Sequence, residues 1–184
     1  QKVHTIFSKA MMEDIDAVSK ELVRKGVTAQ TVVRTKDDAR YVEHGGGLWR
    51  LLTYIPGDIF ETISEPTIAY EAGKMLGKFH RALDGFEYDF KHKRSLHHNT
   101  REHLRLLEYI CFSQKNSRCT IRANCTLVEE GDGGDVQEMV ELVLTALPQL
   151  LLPVHLRRTI TQGDPKITNF IFQNQQAVAL IDID

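Results

Sequence analysis

The sequence predicts an α+β protein in which a β-rich part precedes a helical part. Residues 1–57 combine one helical pattern with several strand patterns and end at Pro56-Gly57. From residue 65 the helical spacing of apolar residues dominates, and the sequence closes on two strand-like segments. This change of pattern predicts two domains, 1–57 and 58–184.

The first part begins with a helix predicted over residues 10–25. Its apolar residues recur at spacings of four, three and four, so they share one face. They are Met11, Ile15, Val18 and Leu22. Strands are then predicted at 31–34 and 40–43, joined by a turn. A second turn at Gly45-Gly46-Gly47 leads to a longer strand predicted at 48–55. The first part is therefore predicted to be a helix followed by an antiparallel sheet.

The second part is predicted to hold three helices. Apolar spacing places them at 65–83, 100–112 and 135–147, and Pro66 suits the first turn of the first helix. Residues 113–134 are polar and include a glycine-rich stretch, which predicts a loop.

The composition is that of an ordinary globular chain and excludes several functions. Of the 184 residues, 42% are hydrophobic and 26% are charged, and no apolar run approaches the roughly 18 residues of a membrane span. A formal net charge of -2 gives no general attraction to nucleic acid or anionic lipid. Three cysteines without a C-x-x-C pair indicate a reduced compartment. We therefore predict a cytoplasmic protein that binds small molecules, not nucleic acid or membrane, while no pattern indicates an oligomeric state.

A polar loop and a hairpin near the end of the sequence carry the chemistry. Asn169 follows Asp164 by five residues, and Asp182 follows the second of two strands predicted at 170–172 and 177–181. This order of Asp, Asn and a later Asp is the arrangement of kinase catalytic loops. It predicts that Asp164 accepts or orients a hydroxyl proton and that Asn169 and Asp182 bind Mg²⁺. The alternative is an Asp-Pro turn capped by Asn169, with Asp182 at a strand end.

The same loop, DPKITNFIF at 164–172, resembles the aminoglycoside phosphotransferase/choline kinase family, and within it the N-acetylhexosamine kinase-like sugar kinases. Three further segments resemble this family in the expected order. They are the strand WRLLTYIPG at 49–57, the helix EAGKMLGKFH at 71–80 and the tripeptide HNT at 98–100.

The resemblance implies a protein-kinase-like fold of two lobes, with the division again after residue 57. It also implies that ATP and Mg²⁺ are used to phosphorylate a hydroxyl of a small molecule, foremost a sugar. Asp164 would be the base, and Lys166 would stabilise the transferred phosphate. For Lys166 the alternative is a solvated loop lysine.

Further positions follow from the same resemblance. The backbone of Thr53, Tyr54 and Ile55 would contact adenine at the hinge between the lobes. Either Glu13 or Glu21 would pair with the lysine that binds the nucleotide, and the sequence does not distinguish them.

The chain also departs from the family pattern. Gln162 stands two residues before Asp164, where the family has a histidine that orients the loop; glutamine can also donate and accept hydrogen bonds. No glycine-rich phosphate loop or lysine strand precedes residue 10, and no helical remainder of the second lobe follows Asp184. The sequence thus predicts a fold that is incomplete at both ends and inactive by itself.

Two other functions fit the sequence. A non-catalytic module that binds a nucleotide or a protein partner would explain Gln162 and the missing phosphate loop. A glycosyltransferase that uses a nucleotide sugar would use the Asp-x-Asp tripeptide at 182–184 to bind its metal, although so short a motif is common by chance.

Overall fold

The computed structural model describes residues 1–92, 99–112, 133–150, 155–157 and 159–183. In this part of the chain, four α-helices and two small antiparallel sheets give a mixed α/β architecture. The helices are α1 (Met11–Arg24), α2 (Pro66–Ala82), α3 (Thr100–Phe112) and α4 (Gly133–Leu150). The strands are β1 (Val42–His44), β2 (Gly47–Trp49), β3 (Phe170–Gln173) and β4 (Gln176–Leu180). Among the described helices, none has the length and apolar character needed to cross a membrane.

The chain divides into two compact units. The first comprises Gln1–Lys93 and Arg158–Asp184, and the second comprises Arg94–Arg157. The second unit holds α3 and α4, which contact each other. These helices confirm the two predicted there, and α4 extends beyond its predicted range at both ends. Most of the predicted loop, residues 113–132, lies outside the described residues.

α1 in the first unit confirms the first predicted helix. Met12 and Ile15 belong to one apolar cluster, whereas Val18 and Leu22 belong to a larger core shared with α2 and the β3–β4 hairpin. The helix ends where the amide of Val27 donates to the carbonyl of Leu22 at 2.9 Å. α1 therefore joins two apolar clusters of the first unit.

The strands that follow α1 pair only partly as predicted. β1 pairs with β2 across the predicted glycine turn, but residues 31–34 and 40–43 do not pair with each other, and Val32 forms a bridge with Leu52 instead. The strand predicted at 48–55 is also shorter, because only its start belongs to β2 and a single bridge forms further along.

Two glycines explain the observed pairing. Gly45 and Gly46 have positive φ values of 55° and 69°, which suit a two-residue hairpin turn. This turn folds β1 back onto β2, so that Val42 opposes Trp49. The segment around Val32 therefore pairs with residues further along the chain, at Leu52.

The predicted hairpin and the helix against it are confirmed. β3 and β4 pair Phe170 with Leu180, and Phe172 is fully buried. β4 contacts α2, whose buried side chains belong to the same core. They are Ile68, Ala72, Met75, Phe79 and Ala82. A close-packed core resists displacement of its parts. The packing of α2 against β4 therefore holds the loop that enters β3 in place.

Gly57 lets the chain pass directly over β3. Its φ of 148° favours glycine, and a Cβ there would lie 2.5 Å from both Ile171 Cγ2 and the carbonyl oxygen of Phe172. The next residue, Asp58, exchanges two backbone hydrogen bonds with Phe172, at 2.8 and 2.9 Å. The Pro56-Gly57 pair, predicted only as a strand end, thus also attaches the chain to β3.

Asp16 of α1 is a buried carboxylate that ties the helix to the segment after it. Its Oδ2 accepts hydrogen bonds from Lys20 Nζ at 3.0 Å, Arg34 Nη2 at 2.5 Å and Arg40 Nε at 3.0 Å. Burial alone would raise the pKa of Asp16. The hydrogen bonds from Lys20 and Arg40 and the charges of Lys20 and Arg34 outweigh burial and hold this pKa below its usual range.

Asp16→Asn is expected to lower the free energy of unfolding of the full-length protein at pH 7 by about 1–3 kcal/mol, because an amide binds the three cations less strongly. Since the folded-state pKa lies below the unfolded one, the carboxylate stabilises the fold above the unfolded pKa of about 3.9. This contribution is lost as the pH falls further, so the variant should lose less stability than the wild type between about pH 5 and pH 2. Urea unfolding at several pH values measures both effects.

The matched control is Asp37→Asn, which removes an exposed carboxylate from the turn that precedes Arg40. It should change the free energy of unfolding by less than about 0.5 kcal/mol. An Asp16→Asn protein as stable as the wild type at pH 7 would contradict the structural role of Asp16.

Candidate functional site

The loop that enters β3 is held in shape by hydrogen bonds to the main chain of Asp164. The amide of Lys166 and the side-chain amide of Asn169 both donate to the carbonyl of Asp164, at 2.8 and 2.9 Å. The amide of Asn169 donates to the carbonyl of Lys166 at 2.9 Å, and one 3₁₀ turn (Ile167–Asn169) follows. These bonds use the main chain of Asp164 and Lys166 and not the carboxylate of Asp164, so the loop keeps its shape without the carboxylate.

β4 returns Asp182 to the start of β3. The amide of Ile181 donates to the carbonyl of Asn169 at 2.8 Å, which continues the hairpin pairing beyond β4. Asp182 has a φ of 57°, a left-handed conformation that Asp adopts more readily than most residues. Asn169 and Asp182 line the same cavity of about 450 Å³. The structure thus brings the two residues predicted as metal ligands to one cavity.

Gln162 connects the loop to the strand end that carries Asp182. Its buried side chain accepts a hydrogen bond from the amide of Asp164 at 2.7 Å and donates one to the carbonyl of Asp182 at 3.1 Å. Its own amide donates to Nε2 of His80 on α2 at 3.4 Å. Glutamine therefore donates and accepts at this position, as expected for a replacement of histidine.

Lys166 lies beside the carboxylate of Asp164. Its Nζ donates to Asp164 Oδ2 at 2.7 Å, and the two side chains are 54% and 61% exposed. The hydrogen bond to Asp164, together with the charges of Asp164 and Asp182, raises the pKa of Lys166, so the ammonium is charged at neutral pH. An ion pair this exposed contributes little to stability. It is accessible to a ligand that enters from solvent.

The residues predicted to contact adenine directly follow Leu52, which lines the cavity, but they are not themselves among the residues that line it. The amide of Thr53 donates to the carbonyl of Thr31 at 2.9 Å, and the carbonyl of Thr53 accepts from Gln30 Nε2 at 3.3 Å. Tyr54 is 83% exposed, whereas Ile55 packs in a small buried cluster with β3 and β4. Their role at the hinge stays a prediction.

Several residues that the sequence analysis did not place in the site line the cavity. They come from α1, from the segment after it and from the segment that directly follows β2: Ile15, Gln30, Arg50, Leu51 and Leu52. Arg50 is buried, and its Nε donates to Oε1 of Gln1 at 2.8 Å. A charged residue inside an otherwise apolar strand is the only signal in the sequence that points to Arg50. The other four residues carry no such signal.

The residues present fit a magnesium ion. Because Nδ2 of Asn169 donates to the carbonyl of Asp164, the side-chain oxygen of Asn169 is the atom that remains as a ligand. With the carboxylate of Asp182, this gives two hard oxygen donors, and Mg²⁺ commonly takes one or two such protein ligands along with substrate phosphates. Within the described residues, no group of three or more His, Cys, Asp or Glu side chains forms a metal site supplied by the protein alone. Asp184, the second aspartate of the Asp-x-Asp tripeptide at 182–184, lies outside those residues.

Comparison with known proteins identifies a family for the chain. No curated protein matches the sequence. The model of one family, described as the phosphotransferase enzyme family, matches residues 3–184. The match covers the α1 region, the segment 50–52 that lines the cavity and the loop with its hairpin, so it includes every described residue of the candidate site apart from Gln1. The chain belongs to the phosphotransferase enzyme family.

Proposed function

We propose that the protein transfers the γ-phosphoryl group of ATP to a hydroxyl of a small molecule in a Mg²⁺-dependent reaction. The observation that carries the proposal is that Asn169 and Asp182 line one cavity while Gln162 links Asp182 to Asp164. Membership of the phosphotransferase family supports the type of reaction. The resemblance of the loop at 164–172 to N-acetylhexosamine kinase-like enzymes favours a sugar as the acceptor.

Asp164 is the proposed base. Its exposed carboxylate accepts the proton of the acceptor hydroxyl as the hydroxyl oxygen bonds to the γ-phosphorus and the bond from that phosphorus to the bridging oxygen of ADP breaks. Lys166 places a positive charge next to the transferred group. Asn169 and Asp182 hold Mg²⁺, which when bound offsets the negative charge of the nucleotide phosphates.

The adenine contact is proposed for the backbone of Thr53, Tyr54 and Ile55, with the amides of Tyr54 and Ile55 as donors because the amide of Thr53 donates to the carbonyl of Thr31. These residues directly follow Leu52, which lines the cavity. The direct continuation of the chain from Leu52 supports the proposal. The oligomeric state of the protein plays no part in it.

The test is an assay of the full-length protein with ATP, Mg²⁺ and a panel of sugars that includes N-acetylhexosamines. We expect ADP release that depends on one class of sugar, a phosphorylated sugar detected by mass spectrometry, and loss of both signals when EDTA removes the metal. Transfer of a sugar from a nucleotide sugar, without use of ATP, would overturn the proposal in favour of a glycosyltransferase.

A non-catalytic nucleotide-binding module is the second candidate. Gln162 in place of the family histidine is the observation that favours it. A ligand that binds the folded state raises its thermal stability, so nucleotide binding can be measured without turnover. A Mg²⁺-dependent shift with ATP, combined with no phosphorylation of any acceptor, would establish this alternative.

Gln162→Ala is expected to lower kcat by about tenfold or more, because it removes two hydrogen bonds, each worth about 1 kcal/mol. Gln162→Glu keeps the acceptor for the amide of Asp164 but places an oxygen against the carbonyl of Asp182, so we expect a similar loss. Gln162→His keeps one donor and one acceptor at this position, so this variant should retain most of the activity.

Gln176→Ala is the control for these variants, since Gln176 is exposed on β4. Steady-state kinetics and thermal unfolding of all four variants separate lost positioning from lost folding. A well-folded Gln162→Ala protein with the kcat of the wild type would show that the link from Asp164 to Asp182 is dispensable.

A further inference from the structure

Asp14 of α1 is a buried carboxylate whose partners all come from one distant segment. Its Oδ1 accepts hydrogen bonds from Tyr88 Oη at 3.0 Å and from the amide of Lys91 at 2.9 Å, and its Oδ2 accepts from the amide of His92 at 2.8 Å. Burial, the hydrogen bond to Asp14 and the charges of Asp14 and Glu13 raise the pKa of Tyr88 to about 12. The phenol therefore stays protonated and donates to Asp14 throughout the neutral range.

The segment that binds Asp14, residues 86–92, is itself attached to the core. Phe86 and Phe90 pack against the apolar cluster that contains α2 and the β3–β4 hairpin. Tyr88 stacks parallel to Phe86 at 5.8 Å and meets Phe90 edge-on at 5.1 Å. Asp14 thus connects α1 to a segment anchored on the same core that supports the loop at 164–169.

The far end of this segment also contacts the residues that precede α1. The ring of His92 lies edge-on to Phe7 at 6.0 Å, and its Nδ1 lies 2.8 Å from the hydroxyl oxygen of Ser8. Together with the three hydrogen bonds of Asp14, these contacts hold the start of α1 from one side.

The residue that follows Asp14 lines the cavity. Ile15 borders the cavity together with Asn169 and Asp182, and it shares an apolar cluster with Ile183. The hydrophobic effect is non-directional, so burial of apolar area alone defines the position of α1 less sharply than directional bonds do. Three hydrogen bonds to one carboxylate are directional, and they fix the position of α1 along and around its axis.

We propose that Asp14 is a positioning residue that fixes α1, and with it Ile15, at the wall of the nucleotide cavity. It acts through residues 88–92 and touches no reacting group. The proposal that the cavity takes ATP rests on the proposed function, whereas the attachment of α1 to residues 86–92 does not. Loss of Asp14 should therefore weaken the binding of ATP more than it slows the chemical step.

Asp14→Asn tests the proposal, because the variant keeps the size of the side chain but replaces one acceptor oxygen with a donor. Hydrogen–deuterium exchange of the full-length protein should show the amides of Lys91 and His92 exchanging about tenfold faster or more. Exchange in the first turn of α1 should also quicken. The KM for ATP should rise severalfold while kcat changes by less than about twofold.

Two further variants make the result specific. Glu87→Gln removes an exposed carboxylate from the segment 86–92 itself and should leave exchange and KM unchanged. Tyr88→Phe removes one of the three hydrogen bonds, so both amides should stay protected and KM should change less than in Asp14→Asn.

Two outcomes would overturn the proposal. The first is unchanged exchange at Lys91 and His92 in Asp14→Asn, and the second is faster exchange there without any change in KM for ATP. If the wild-type protein does not use ATP, the proposed function fails separately, and exchange in the first turn of α1 then decides whether Asp14 fixes the helix.

Discussion

Asp164→Asn is expected to reduce phosphorylation of the acceptor by about 10²-fold or more, because the amide cannot accept the hydroxyl proton. The substitution should leave the fold intact. The loop is held by the carbonyl and amide of Asp164, and within the described part of the chain the carboxylate bonds to the exposed Lys166. Steady-state kinetics of the full-length enzyme with its best acceptor measures the effect.

Two measurements distinguish a loss of catalysis from a loss of folding or of nucleotide binding. The melting temperature and the thermal shift produced by Mg²⁺-ATP should match those of the wild type, since Asp164 is not a proposed ligand of the nucleotide. Asp58→Asn is the control, because Asp58 is exposed and contacts β3 through its backbone. Turnover that survives in Asp164→Asn would show that another group is the base.

Asp182→Asn is expected to raise the Mg²⁺ concentration needed for half-maximal activity. Loss of an outer-shell partner already weakens metal binding by about 10- to 100-fold, and a direct ligand should matter at least as much. Turnover at a fixed, moderate Mg²⁺ concentration should fall accordingly. A titration of activity against Mg²⁺ separates this effect from a defect in chemistry.

Asparagine is the appropriate replacement because of the backbone at this position. Asp182 has a φ of 57°, and asparagine adopts that region readily, whereas alanine would add backbone strain to the loss of the carboxylate. The carbonyl of residue 182 should still accept the hydrogen bond from Gln162. If the Mg²⁺ dependence of Asp182→Asn equals that of the wild type, Asp182 is not a metal ligand.

The sequence predicts the parts of this fold that depend on local patterns. The apolar stripe of α1 and the two apolar segments around residues 174–175 identify a helix and a hairpin, since each pattern is complete within a few residues. The order of Asp164, Asn169 and Asp182 also lies in the sequence, and the meeting of Asn169 and Asp182 at one cavity follows once the hairpin is recognised.

What the sequence misses depends on distant pairing. No local pattern identifies Leu52 as the partner of Val32 in place of the nearer segment 40–43. Strand register is decided by the turn and by the buried face of the sheet. Asp14 looks like any acidic residue in the first turn of a helix, where it favours the helix dipole. Its burial against residues 88–92 appears only when the helix and that segment are brought together.

Gly57 has a consequence for the tolerance of the sequence to change. Any side chain at this position would strike Ile171 and the carbonyl of Phe172, so the crossing chain or β3 would have to move. β3 begins immediately after Asn169, and a shift there would displace this proposed metal ligand without altering it. In a survey of random variants, position 57 should therefore be as intolerant as the proposed catalytic positions, although its glycine has no proposed contact with substrate or ion.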